Sequence, residues 1–127
     1  MSYFTYDQAV EEASRCLLCH DAPCSQGCPA NTNPAKFIRS IRFNNLKGAA
    51  ETIRTRNILG GICARVCPYD QLCQENCVRA ELDESIKIGK LQEFVCDYER
   101  ENNLEFLDSV ELNKEKVAVI GSGPAGL

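Results

Sequence analysis

Cys16-Leu17-Leu18-Cys19-His20-Asp21-Ala22-Pro23-Cys24-Ser25-Gln26-Gly27-Cys28-Pro29 and Cys63-Ala64-Arg65-Val66-Cys67-Pro68-Tyr69-Asp70-Gln71-Leu72-Cys73-Gln74-Glu75-Asn76-Cys77 carry eight of the nine cysteines in this 127-residue chain. Thiolates at intervals this short form cages for iron and inorganic sulfide. Each [4Fe-4S] cube takes four protein ligands, so two tracts of four imply two clusters and a chain built to carry electrons.

Other uses of the cysteines fit less well. A disulfide framework is disfavoured by the odd count, by the Cys16-x2-Cys19 spacing and by an N-terminus, Met1 to Asp7, with neither a basic nor an apolar signal region. Structural zinc usually shows two separated Cys-x2-Cys knuckles, and the only histidine is His20. A reducing cytoplasm is the expected compartment. With 44% hydrophobic and 25% charged residues, the composition is that of a globular domain of ordinary kind. A net charge of −4 without a basic stripe argues against a nucleic-acid partner, and the apolar runs are too short to cross a bilayer.

The pattern along the chain is helical. Thr5-Tyr6-Asp7-Gln8 fits a capping box, and Val10, Ala13, Cys16 and Leu17 continue it into a helix over 6–18. Residues 20–32, with Pro23, Gly27, Pro29 and Asn31, read as an irregular loop. Asn33-Pro34 starts a helix near 34–43 that carries Phe37, Ile38 and Ile41, and Leu46, Ala49, Ala50 and Ile53 extend the pattern to about 56. Gly60-Gly61 breaks the chain before a short apolar turn with Ile62 and Val66. A helix over 70–78 would put Cys73 and Cys77 on one face, a turn apart, one for each cluster. Ile88, Leu91, Val95 and Tyr98 give a last helix near 87–101.

The expected fold class is therefore all-α, a helical ferredoxin-like domain over 1–102 that binds two [4Fe-4S] clusters, with a linker over 103–115. Lys116-Val117-Ala118-Val119-Ile120 reads as a buried strand running into Gly121-Ser122-Gly123-Pro124-Ala125-Gly126. That is G-x-G-x-x-G after a strand, the phosphate-facing turn of a dinucleotide-binding unit. Residues 116–127 are accordingly expected to be the start of a truncated Rossmann-type, FAD-binding domain, with Gly121, Gly123 and Gly126 part of an incomplete FAD site and the whole a piece of a longer protein.

Spacing also suggests how the cysteines divide. In two-cluster ferredoxins the last cysteine of a tract ending in Cys-Pro serves the other cluster. Cys16, Cys19 and Cys24 would then hold one cube, and Cys28, before Pro29, would cross to the second. One further ligand for the first cube and three for the second are to come from Cys63, Cys67, Cys73 and Cys77, and spacing alone takes the division no further.

Glu12-Ala13-Ser14-Arg15-Cys16-Leu17-Leu18-Cys19-His20-Asp21-Ala22-Pro23-Cys24, Cys63-Ala64-Arg65-Val66-Cys67-Pro68, Ile88-Gly89-Lys90-Leu91-Gln92 and Val119-Ile120-Gly121-Ser122-Gly123-Pro124-Ala125-Gly126 together resemble the N-terminal part of the dihydropyrimidine dehydrogenases, especially the flavin and iron-sulfur subunit of the bacterial NAD-dependent type. The small chain of glutamate synthase is a more distant relative. The resemblance implies that Cys16, Cys19, Cys24 and Cys77 hold cluster 1, and that Cys28, Cys67, Cys73 and Gln92 hold cluster 2. Cys63 then becomes a non-ligand and the main rival of Gln92. Cys96 reads as a small buried hydrophobe, His20 as loop structure, and Arg15 and Arg65 as solvated surface residues.

The implied function is an electron-transfer module of an NAD(P)-dependent flavoprotein oxidoreductase. FAD and NAD(P) would belong to the full-length protein, and electrons would pass to a partner subunit or domain carrying FMN and further iron-sulfur clusters that reduces uracil or thymine. The chain itself shows no catalytic residue, and alone it is expected to be inactive. A glutamate synthase-type electron donor and a non-redox, zinc-stapled interaction module are the alternatives.

Overall fold

The computed structural model describes residues 4–124 and 126, and the part of the expected flavin-binding turn at Ala125 and Leu127 lies outside them. Among the described residues there are six α-helices and no strand: α1 (Tyr6–Ser14), α2 (Pro23–Gln26), α3 (Pro34–Arg42), α4 (Leu46–Arg56), α5 (Gly60–Val66) and α6 (Ile88–Glu101). Single 3-10 turns cover Tyr69–Gln71 and Val78–Glu81.

Local chemistry sets most of the helix starts. The Thr5 hydroxyl accepts from the Gln8 amide while the Gln8 side chain accepts from Thr5 N–H, the reciprocal capping box expected from sequence. Asn33, left-handed at φ 58°, caps α3 by accepting from Lys36 N–H, and Pro34 follows at the first helical position. Asn45 does the same for α4 through Gly48 N–H.

The core lies where α3 packs on α4 and α1, and where α6 packs on α4 and α5. Phe37, Ile38, Ile41, Ile53, Leu91 and Val95 fill it. Helix α6 is covered on nearly every side, and its buried face includes Gln92, Glu93, Asp97 and Glu99. A buried carboxylate is tolerated only with a partner. Arg54 grips Glu99 at 2.6 and 2.8 Å, and Arg65 grips Asp97 at 2.8 and 2.9 Å while reaching Glu93 at 3.6 Å. These ion pairs join α4 and α5 to α6. Arg65 is exposed, as expected, and its guanidinium is nonetheless tied to α6.

The structure corrects several expected elements. Helix α1 stops at Ser14 rather than 18, because Arg15 N–H and Cys16 N–H turn back to Glu12 and Ala13 carbonyls and the chain then opens into the first cysteine tract. The loop over 20–32 contains the one-turn helix α2, begun by Pro23. Gly60-Gly61 opens α5 instead of breaking the chain, and Gly60 lies so close to Ile53 that only a residue without a side chain fits. No α-helix covers 70–78: Leu72, at φ −125° and ψ −104°, interrupts it, so Cys73 and Cys77 do not share a helical face. Residues 116–120 form no strand and are exposed, Ile120 fully. A strand is made by its neighbours, and no described segment lies beside this one to supply ladder hydrogen bonds.

Candidate metal centres

The end of α1 and the segment after Cys77 are drawn together by a chain of charges. Glu12 accepts Arg15 Nη1 at 2.8 and 2.9 Å and also Lys87 N–H at 2.8 Å. Arg15 Nη2 donates to Asp83 at 3.1 Å and to the Glu84 carbonyl at 2.7 Å. Arg79 holds both Asp83 oxygens at 2.7 Å and donates to the Arg15 carbonyl at 3.0 Å. Arg42, from α3, donates to the Cys16 carbonyl at 3.1 Å. Arg15 therefore corrects the surface reading: it fastens the residue before Cys16 to the segment beyond Cys77.

The sulfurs fall into two groups. Burial raises the Cys16 and Cys24 thiols above the ordinary range, Cys24 to about 11, and each is raised further by Cys77. Cys16 also feels Cys19, and Cys24 feels Cys16. In the second group burial again comes first: it raises Cys67, helped by Cys63 and Cys28, and pushes Cys73 up to about 12, helped by Cys28 and Cys67. Cys28 thus stands with the second tract and Cys77 with the first. Each group is drawn from both halves of the chain.

The second group surrounds a cavity of about 120 Å³ lined by Cys28, Cys63, Cys67, Cys73, Tyr69 and Gln92. Gly89, at the start of α6, lies flat against the Tyr69 ring, so that even a methyl group there would collide with it. Gln92 is 8% exposed, and its Nε2 donates to the Gly60 carbonyl at 2.8 Å. That bond fixes the amide and leaves Oε1 as the free acceptor.

Backbone donors point at the sulfurs. Leu18 N–H, Ser25 N–H and Gln74 N–H each favour the ionised form of Cys16, Cys24 and Cys73 respectively, and Ile86 N–H lies 3.5 Å from Cys77 Sγ. Leu18 reaches its position with φ at 56°, a left-handed conformation that costs about 1–2 kcal/mol outside glycine. Hydrogen bonds to sulfur are among the features that set cluster potentials.

Among the described residues no three His, Cys, Asp or Glu side chains close around a single-ion position. Soft thiolates drawn from both halves of the chain and met by N–H donors fit an iron-sulfide core. Ligation requires thiolates, so iron must displace protons held by thiols whose burial favours the neutral form.

The remaining expected residues are placed as follows. Cys96 is buried and its thiol is pushed up to about 12, chiefly by burial, in keeping with a packing role. His20 is almost fully exposed beside Asp21. Gly121, at φ 118°, adopts a backbone suited to glycine, and Gly126 N–H donates to the Gly123 carbonyl at 2.8 Å. The Glu12, Arg15, Asp83 and Arg79 chain was missed from sequence. Its one visible trace is an arginine beside Cys16 and another two residues after Cys77.

The family model for dihydropyrimidine dehydrogenase domain II, 4Fe-4S cluster, matches residues 1–104. Over 124 residues the chain is 60% identical to the NAD-dependent dihydropyrimidine dehydrogenase subunit PreT of Escherichia coli (strain K12). It is 57% identical to the subunit of the same name from Salmonella typhimurium, also over 124 residues. Each alignment covers 98% of this chain and 30% of the relative, so the chain spans under a third of the length of these relatives.

Proposed function

The chain belongs to the dihydropyrimidine dehydrogenase domain II, 4Fe-4S cluster family, and from that premise we propose that it is the electron-transfer module of an NAD-dependent dihydropyrimidine dehydrogenase. Cys16, Cys19, Cys24 and Cys77 hold one [4Fe-4S] cluster, and Cys28, Cys67, Cys73 and Gln92 hold a second. When bound, the clusters supply one-electron carriers between a flavin reduced by NAD(P)H and a partner subunit or domain that uses FMN and iron-sulfur clusters to reduce uracil or thymine. FAD belongs to the full-length protein, with Gly121, Gly123 and Gly126 part of its phosphate-facing turn. Residues 1–102 are the two-cluster domain, 103–115 the linker and 116–127 the start of the flavin domain, and the protein works in the cytoplasm.

The observation that carries this reading is the crossing of Cys28 and Cys77. Each sulfur stands with the opposite tract, as the spacing rule for two-cluster ferredoxins requires for Cys28. The chain's own residues supply placement and tuning: α1 and the Arg15 network fix Cys16 relative to Cys77, and the Leu18, Ser25 and Ile86 amides face the first group. Relatives at 57–60% identity named for dihydropyrimidine dehydrogenase favour that enzyme over a glutamate synthase-type donor. No helix among the described residues is long and apolar enough to cross a membrane.

Anaerobic purification of the full-length protein tests the proposal. About eight irons and eight acid-labile sulfides per chain are expected from two cubes, with visible absorption bleached by NADH. Zinc at about two per chain, with no visible absorption, would refute it.

A further inference from the structure

The second centre has more donors than corners. Cys28, Cys63, Cys67, Cys73 and Gln92 all line one cavity, whereas a cube offers four irons. Gln92 is not free to choose its direction. Its Nε2 is held by the Gly60 carbonyl at the first turn of α5, so Oε1 is the atom left to act as a ligand. Cys63 lies three residues beyond Gly60 on the same helix, and residues at that spacing occupy one helix face. Gln92 on α6 and Cys63 on α5 thus line the same cavity, and the residue that holds the Gln92 amide lies one turn before Cys63. Cys63 is half-buried, and Cys67 caps the same helix, its N–H bonded to the Cys63 carbonyl at 2.9 Å.

On the reading that Gln92 is the fourth ligand, we propose that Cys63 is a reserve ligand of the second centre, able to take over the iron that Gln92 holds. The exchange is a ligand substitution. The Gln92 Oε1–iron bond breaks, the Cys63 thiol gives its proton to solvent, and a Cys63 Sγ–iron bond forms. No electron moves, and no oxidant or reductant is needed. Because a neutral oxygen donor is replaced by a thiolate, the ligated cluster becomes one unit more negative and harder to reduce. The weaker donor is the one that leaves, and the cage itself supplies the replacement.

The test uses the full-length protein prepared without oxygen, in four variants: Cys63→Ser, Gln92→Ala, the double variant, and Gln92→Ala with Cys96→Ser. Cys96 is a buried thiol on α6 that does not line the cavity. Iron and sulfide per chain, the EPR spectrum and the midpoint potential of each centre are read, with circular dichroism reporting the helical fold.

Cys63→Ser is expected to match the parent. Gln92→Ala is expected to keep its full iron while the potential of one centre moves to a more negative value, and adding Cys96→Ser is expected to change nothing more. The double variant is expected to lose iron from that centre, as a three-iron EPR signal or as loss of the cluster. If Gln92→Ala alone sheds as much iron as the double variant, there is no reserve ligand and the Gln92 assignment stands. If Cys63→Ser alone strips the centre while Gln92→Ala leaves iron, spectrum and potential untouched, Cys63 is the primary ligand, and both the reserve role and the Gln92 assignment fail.

Discussion

Replacing Arg15 with methionine should make the first centre open more readily without touching a ligand. Methionine keeps the apolar stem of the side chain and removes its charged fork. Two hydrogen bonds to Glu12 are lost, and that carboxylate is left 9% exposed with only Lys87 N–H. Hydrogen bonds to charged groups in such a setting contribute about 1.5–3 kcal/mol. The link to Asp83 counts for little, because that side chain is 43% exposed and screened by water.

A total of about 2 kcal/mol corresponds to roughly a thirtyfold change in the opening equilibrium. Bleaching of the visible absorption of the intact anaerobic protein by excess iron chelator measures that opening. Arg15→Met should bleach about thirtyfold faster in the opening-limited regime, and Arg15→Lys, which keeps the charge but not the fork, should fall between. A bleaching rate within about twofold of the parent would sink the idea that this network clamps Cys16 to Cys77.

Four further outcomes are expected. Phe37→Ala removes a fully buried ring and should cost about 3–5 kcal/mol, read as a lower melting temperature with faster cluster loss; a change under about 1 kcal/mol would be inconsistent with its burial. Gly89→Val forces a branched side chain into the Tyr69 ring and should cost about 1–3 kcal/mol, with iron lost first from the second centre; loss confined to the first centre would contradict the packing described. Arg79, by hydrogen bonding, and then the Glu84 amide and Arg15 hold the Asp83 carboxyl well below the usual carboxylate range. Its stabilisation is therefore complete above the ordinary value of about 4 and fades as pH falls toward the depressed one, so the melting difference between the parent and Asp83→Asn should be constant from pH 5 to pH 7 and shrink in acid. Cys96, with its thiol pushed up to about 12, should resist iodoacetamide in the native protein at pH 8 and react once the chain is unfolded; native labelling, located by mass spectrometry, would contradict its burial.

The parts legible in the sequence were those with a periodic or positional signature. Thr5 with Gln8, Asn33 with Pro34, and the spacing of Leu91 and Val95 each fix a local element, and the structure places the corresponding helices within a few residues. The crossing of Cys28 followed from Cys-Pro spacing. What failed depends on tertiary surroundings. Gly60-Gly61 looks like a breaker, yet it starts a helix, and Gly60 is required there because Ile53 leaves no room for a side chain. Helical spacing at Cys73 and Cys77 is cancelled by the backbone at Leu72. Residues 116–120 have the composition of a strand, but a strand cannot form without a neighbour. The burial of Glu93, Asp97 and Glu99 on α6 has no local signature, and only the arginines of α4 and α5 show why they are inside.

The crossing of the two cysteine tracts has a consequence for the order of synthesis. Synthesis releases the first cysteine tract before the second, and on the proposed assignment neither site has its full complement when Cys16, Cys19, Cys24 and Cys28 have emerged. On that assignment the first waits for Cys77, and the second for Cys67, Cys73 and Gln92. Nascent chains stalled ahead of Cys77 should therefore hold iron poorly whatever the supply, whereas those extended past α6 have every donor needed to accept both clusters in either order.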